Sequence, residues 1–205
     1  MMVSVNAPNR ESLRSRRRRE TEREIHLAAL HLARAHGFDK VTVEMISAEA
    51  GVSPRTFFNY FPNKDAAIVQ GPAELSEELA AEFVSAGPAP AKQVLTELTR
   101  LLTRDFSEHP PQREEVHAAF ELAREHPQVL AVLLARFDAF AVHIADLVGR
   151  RLGEEAGDEV PALMAAIALA AVRQGLDRWA RASDDGSPVP YVERSMDLLR
   201  TLLAP

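Results

Sequence analysis

The sequence predicts an all-α protein of about nine helices in two parts, a small three-helix unit at the N-terminus and a larger helical unit behind it. Three observations predict this. Apolar residues recur at i, i+3, i+4 and i+7 along most of the chain, the spacing of one helical face. Gly and Pro signals bound each such run. No segment shows the apolar/polar alternation of a half-buried strand. With 205 residues, 46% of them hydrophobic and 26% charged, the chain can bury a substantial core and has ordinary globular composition.

The elements follow in order. Residues 1–19 lack apolar periodicity and end in Arg16, Arg17, Arg18 and Arg19, which reads as a flexible basic arm. From Thr21, the residues Ile25, Ala28, Ala29, Leu32 and Ala33 form one stripe, and Gly37 stops that first helix. Thr42 is placed to cap a short second helix carrying Val43, Ile46, Ser47 and Ala50, which Gly51 ends. Ser53 and Pro54 open a third helix of about two turns with Phe57, Tyr60 and Phe61, and Pro62 closes it. Asn63 caps a fourth, expected to run to Gly87-Pro88 and to join the two parts. Lys92 to Glu108 and Arg113 to Glu125 are bounded by Pro110-Pro111 and Pro127. A long core helix covers 128–152, an alanine-rich one runs from Pro161 to Ala182, and a last one from Pro190 to Leu203.

Charge is split along the chain. The net charge is −6, yet residues 1–64 carry 11 Lys and Arg against 7 Asp and Glu, and the rest carries 13 against 23. The basic end is suited to phosphate, while the acidic bulk stays soluble and is repelled from it. The absence of cysteine excludes disulfides, thiolate catalysis and Cys-based zinc sites. No apolar run like a signal-peptide core follows Arg16–Arg19. The longest apolar stretches are interrupted by Arg136, Asp138, His143, Asp146 and Arg173, so no membrane span is expected and the cytoplasm is the expected compartment.

Two short helices joined through Gly51-Val52-Ser53, behind a supporting helix and a basic arm, make the arrangement in which a second helix enters the DNA major groove. The run from Val41 to Asp65, VTVEMISAEAGVSPRTFFNYFPNKD, strongly resembles the DNA-binding domain of the tetracycline-repressor (TetR) family, a likeness that covers about Glu20 to Asp65. The resemblance implies a homodimer that reads operator DNA through residues 20–65 and holds a small-molecule effector in residues 66–205.

Residue types sort by face. Phe57 and Phe61, at i and i+4, are expected to pack onto Ile25, Leu32 and Ile46. Arg55, Thr56 and Asn59 project outward, and Arg suits guanine, Asn adenine, and Thr a thymine methyl or a phosphate. The resemblance implies phosphate contacts for Thr42, Tyr60 and Lys64. Phe58 departs from the family pattern, where Tyr is frequent; without a hydroxyl it either loses a phosphate contact or replaces it with apolar contact to a thymine methyl. Arg16 to Arg19 read either as a solvated tail or as a minor-groove arm.

In the larger part, Ala162, Ala166, Leu169, Arg173 and Leu176 share a stripe, so Arg173 lies on a largely apolar face and needs an anionic partner. That partner is either Asp138 or Asp146 in a structural ion pair, or the carboxylate or phosphate of a ligand. His117 and His143 sit among apolar neighbours and read either as satisfied core histidines or, with Phe106, Phe120, Phe137, Phe140, Arg173 and Gln174, as the lining of a mostly apolar effector pocket. The stretch IALAAVRQGLDRWA, taken with TFFNYFPNKD, is similar to a subgroup with acyl-coenzyme-A-like ligands. For dimerisation, Val192, Met196, Leu199 and Leu203 with Leu198 and Leu202 give the last helix extra apolar surface, and Ala162, Ala165, Ala168 and Ala171 allow close approach.

Catalysis is not expected, and neither a cofactor nor a metal is called for. His26 and His31 lie five apart, off one helical face, and neither HExxH nor GxSxG occurs. The competing reading is a helical protein-interaction module, or a ligand-binding protein without operator specificity.

Overall fold

A computed structural model describes residues 13–69, 75–153 and 157–202. Among these, the chain forms ten α-helices, one 3₁₀ turn and no strand. They divide into two compact units, Met1–Ile68 and Val69–Pro205.

The first unit contains α1 (Leu13–His36), the 3₁₀ turn Phe38–Lys40, α2 (Val43–Glu49), α3 (Pro54–Phe58) and α4 (Lys64–Ile68). Helix α1 starts at Leu13 rather than Thr21, so the basic segment is helical from that residue on and not an arm. The reason is local: no Gly or Pro lies between Pro8 and Gly37, and Leu and Arg are strong helix formers. Residues 1–12 of the expected arm lie outside the described residues. Ile25, Ala29, Ile46, Phe57 and Ala67 are fully buried and form the core of this unit, with Phe38, Val41 and Phe61 around them. His26 is also inside, its Nδ1 2.8 Å from the Ala67 carbonyl.

The second unit contains α5 (Glu77–Ser85), α6 (Ala91–Glu108), α7 (Arg113–Glu125), α8 (Pro127–Leu152), α9 (Glu159–Ala180) and α10 (Val189–Leu202). The expected long fourth helix is two helices, which accounts for ten instead of about nine. The sequence carries Gly71-Pro72 between them, a pair that disfavours continuing a helix.

Helices α8, α9 and α10 make the centre of the second unit. Val94, Leu98, Val129, Ile144, Ala165, Ala168, Val192 and Met196 are fully buried there. Gly175 lets α9 and α10 approach closely: a Cβ at that position would lie 2.8 Å from Val192 Cα and 2.9 Å from the Tyr191 carbonyl oxygen. At the far end Arg113 ties α7 to the α9–α10 loop. It donates to the carbonyls of Ala182 and Gly186 and lies over the Trp179 ring, whose Nε1 donates to Gly186 as well.

Two expectations change here. By length and composition alone, α8 and α9 are long and apolar enough to cross a membrane despite their charged interruptions; in the fold they pack against each other. Val192, Met196, Ala165 and Ala168, expected at an interface, are core residues of a single chain. Leu203 lies outside the described residues.

Candidate nucleic-acid interface

The helix-turn-helix is fixed by three caps at the positions the sequence indicates. Thr42 Oγ1 accepts from Met45 N at 3.3 Å, Ser53 Oγ from Thr56 N at 3.0 Å, and Asn63 Oδ1 from Ala66 N at 2.8 Å. Each satisfies an orphan N–H in a first turn. Between the helices Gly51 adopts φ 66°, a left-handed conformation that only glycine reaches without strain. The Val52 N–H then bonds back to Ser47 O at 2.9 Å. Helix α3 is five residues long, and Asn59 and Tyr60 follow in a turn rather than in a second helical turn. Pro62 sits too close for a longer helix.

Phe57 is fully buried and Phe61 nearly so, with ring centroids 5.9 Å apart, as the i, i+4 spacing requires. Arg55 and Asn59 are exposed, and Thr56 is half-buried with its hydroxyl 2.8 Å from Ser53 Oγ, inside the cap. Phe58 is 57% exposed, a large apolar ring in the open. It stands edge-on to Phe57, centroids 5.4 Å apart and planes at 88°. Core packing therefore orients a side chain that itself points out.

The residues expected on phosphate divide. Tyr60 is half-buried, with the Arg18 guanidinium 5.6 Å from its ring centroid, so the structure brings the basic segment and the recognition segment together. Thr42 and Lys64 each have intramolecular partners. The Thr42 hydroxyl caps α2, and the exposed Glu44 carboxyl is held below its ordinary range by a bond from its own backbone N–H and by one from that hydroxyl. Lys64 Nζ donates to the carbonyls of Phe38 and Val41, both at 3.0 Å, and lies 4.4 Å from the Phe38 ring centroid. It pins α4 to the 3₁₀ turn, a job that needs a long cationic side chain. Arg16, Arg17 and Arg19 are exposed on α1.

Among the described residues, those expected to line an effector pocket differ in exposure. His143 and Gln174 are exposed, and His143 lies beside Phe140 with ring centroids 6.5 Å apart. Phe120 and Phe137 are buried, Phe106 and Phe140 half-buried, and His117 pairs with Glu121 at 3.3 Å on its own helix. Arg173 is half-buried and, among the described residues, forms no ion pair; Asp146 pairs with Arg150. A stripe shared with apolar residues did not bury Arg173, because one face of α9 is itself exposed.

The buried cation is Arg151, 1% exposed, a residue that ends a helix and so has, in the sequence, the look of a favourable C-terminal charge and no more. Its Nε donates to Gly87 O at 2.6 Å, Nη1 to Phe83 O at 3.1 Å, and both Nη atoms to Glu97 Oε2 at 2.7 and 2.5 Å. Beside this pair a groove of about 400 Å³ opens between α5 and α6. Leu79, Phe83 and Leu101 are its buried apolar floor, and its charged edge holds Arg100, Glu82 and Arg104, the last paired with Glu82 at 2.7 Å and Glu108 at 2.8 Å. None of the eight expected pocket residues lines it. Its only signals in the sequence are Leu79 and Phe83 at i, i+4, which the single long helix concealed.

Comparisons with known proteins agree with this geometry. The model described as bacterial regulatory proteins, tetR family, matches residues 25–68, and that of the MftR C-terminal domain matches residues 92–204. The HTH-type transcriptional regulator TcmR of Streptomyces glaucescens is 28% identical over 200 residues, covering 94% of this chain and 88% of its own. The putative mycofactocin biosynthesis transcriptional regulator MftR of Mycobacterium tuberculosis is 28% identical over 176 residues, covering 83% and 85%. Among solved structures, Thermus thermophilus FadR, a TetR-family transcriptional repressor in complex with lauroyl-CoA, superposes with a TM-score of 0.51 at 25% identity, over 90% of this chain and 96% of that one.

Proposed function

We infer, from the premise that the chain belongs to the tetR family of bacterial regulatory proteins and is a DNA-binding transcription regulator with a ligand-binding domain, that it acts as a homodimeric repressor released from a palindromic operator by a small amphipathic effector. The observation that carries this is the capped helix-turn-helix, with Arg55, Phe58 and Asn59 turned outward over buried Phe57 and Phe61. In this reading Arg55 and Asn59 read base edges, Phe58 meets a thymine methyl, and Tyr60 with the arginines of α1 holds phosphates. Such a regulator works where the DNA is, in the bacterial cytoplasm.

The exposed apolar residues support the dimer. Leu163 is 62% exposed on α9, with Ala166 and Ala170 on the same face, and Leu202 is 81% exposed on α10 beside Leu198. Apolar surface of that extent favours a partner, and an isologous pairing of α9 and α10 with their symmetry mates covers it. The groove between α5 and α6, with its apolar floor and with Arg100 at its edge beside the carboxylate-paired Arg104, supports a small effector with an apolar part, and the Thermus FadR structure is a complex with lauroyl-CoA.

Selection from a random duplex pool tests the reading. The selected site should have dyad symmetry, with half-sites about 34–36 Å apart. Asn59→Ala should relax preference at one position per half-site, at a cost of about 1–3 kcal/mol. A selected site without dyad symmetry, or specificity that survives Asn59→Ala unchanged, overturns it.

A further inference from the structure

We propose that the first turns of α1 form a helical arginine rail that grips the phosphate backbone beside each half-site and reads no bases. This deepens the operator-binding reading above and rests on it. Arg14, Arg17 and Arg18 lie at i, i+3 and i+4 and so share one helix face. All three are exposed, and among the described residues Arg14, Arg16 and Arg17 have no ion-pair partner. The Arg18 guanidinium stacks over Tyr60, 5.6 Å from the ring centroid. That stacking holds the rail alongside the recognition segment, next to the strand that Tyr60 touches when DNA is bound.

Helical conformation decides what these arginines touch. An α-helix with side chains is about 10–12 Å across, whereas the minor groove is only about 6 Å wide. A segment that is already helical at Leu13 therefore cannot thread into the groove as an extended arm does, and its guanidinium groups meet phosphate oxygens. From Arg14 to Arg18 the rise is about 6 Å, enough to span about two phosphates of one strand at 3.4 Å of axis each. The rail adds affinity to every sequence equally and extends the protected footprint beyond the palindrome.

The test uses the full chain and the operator selected above, with Arg14 and Arg17 changed together. Gln has nearly the helix propensity of Arg, so R14Q/R17Q keeps α1 helical. The slope of log affinity against log salt should become shallower by about 0.9 for each phosphate no longer neutralised, up to about 3.6 for two arginines in each of two protomers. Affinity for unrelated duplex should fall by the same factor as for operator, and equally with A·T-rich and G·C-rich flanks. R14K/R17K should restore the slope, since Lys serves phosphate as a point charge. A loss confined to A·T flanks, or no rescue by Lys, overturns the proposal in favour of minor-groove reading. An unchanged slope overturns it with operator recognition intact. If the unaltered protein selects no duplex at all, the operator reading itself fails, and the rail fails with it.

Discussion

Arg151→Met measures what holds α5 against α6 and α8 within the larger unit. Met keeps most of the apolar stem of Arg151 but removes its bonds to Gly87 O, Phe83 O and Glu97. Two carbonyls at the end of α5 lose their donor, and a carboxylate loses its cation. Breaking a buried ion pair from one side costs about 3–5 kcal/mol. Glu97 is 23% exposed on its side chain and keeps a bond from Gln93 Nε2 at 2.9 Å, which places the loss near the lower end, about 3 kcal/mol. For a chain of this size that lowers the melting temperature by about 6–12 °C. Trp179, the single tryptophan, is buried in α9 and reports this unit by fluorescence. Arg173→Ala on the same helix as Trp179 should shift the melt little, by about 0.5 kcal/mol or less, because Arg173 is half-exposed and pairs with nothing among the described residues. Arg151→Met melting within about 2 °C of the unaltered chain, or Arg173→Ala costing more than Arg151→Met, refutes the reasoning.

Three further outcomes follow from packing and charge. Gly175→Ala forces a methyl against the Val192 backbone at 2.8 Å, so it should cost about 1–3 kcal/mol in the same Trp179 melt. Lys64→Ala removes a cation from two backbone carbonyls and should destabilise the N-terminal unit by about 1.5–3 kcal/mol, visible as faster amide exchange in α4, whether or not DNA is present. Burial raises the carboxyl of Asp105 above its ordinary range, against the smaller opposing pull of His109 3.5 Å away. The folded chain therefore holds that proton to higher pH than the unfolded chain, and the group lowers stability at neutral pH by an amount that vanishes as pH falls below about 3.9. Asp105→Asn should melt higher than the unaltered chain at pH 7, with the gap closing toward pH 4; a gap that widens on acidification contradicts this.

Local rules determined the N-terminal unit. Thr42, Ser53 and Asn63 cap the helices they precede, Gly51 makes the turn, and Phe57 and Phe61 are buried while Arg55, Phe58 and Asn59 are exposed. Each of these depends on neighbours within about four residues, so the sequence carries the whole instruction. The boundaries of α7 and, within a residue or two, of α6, α8 and α10 were legible for the same reason.

Only the tertiary structure decided which apolar and charged residues ended up inside. Periodicity names a face but not what covers it: α10 uses Val192 and Met196 for its own core and leaves Leu202 open, and α9 turns Leu163 outward while Ala165 is buried. The same limit moved the buried cation from Arg173 to Arg151, whose partners Glu97, Phe83 and Gly87 lie more than fifty residues away. Lys64 closing on Phe38 and Val41, and Arg18 on Tyr60, are pairings of that kind too. Capping and turn chemistry act over a few bonds and are written in order along the chain, whereas burial and ion pairing depend on distances that exist only after the helices have packed.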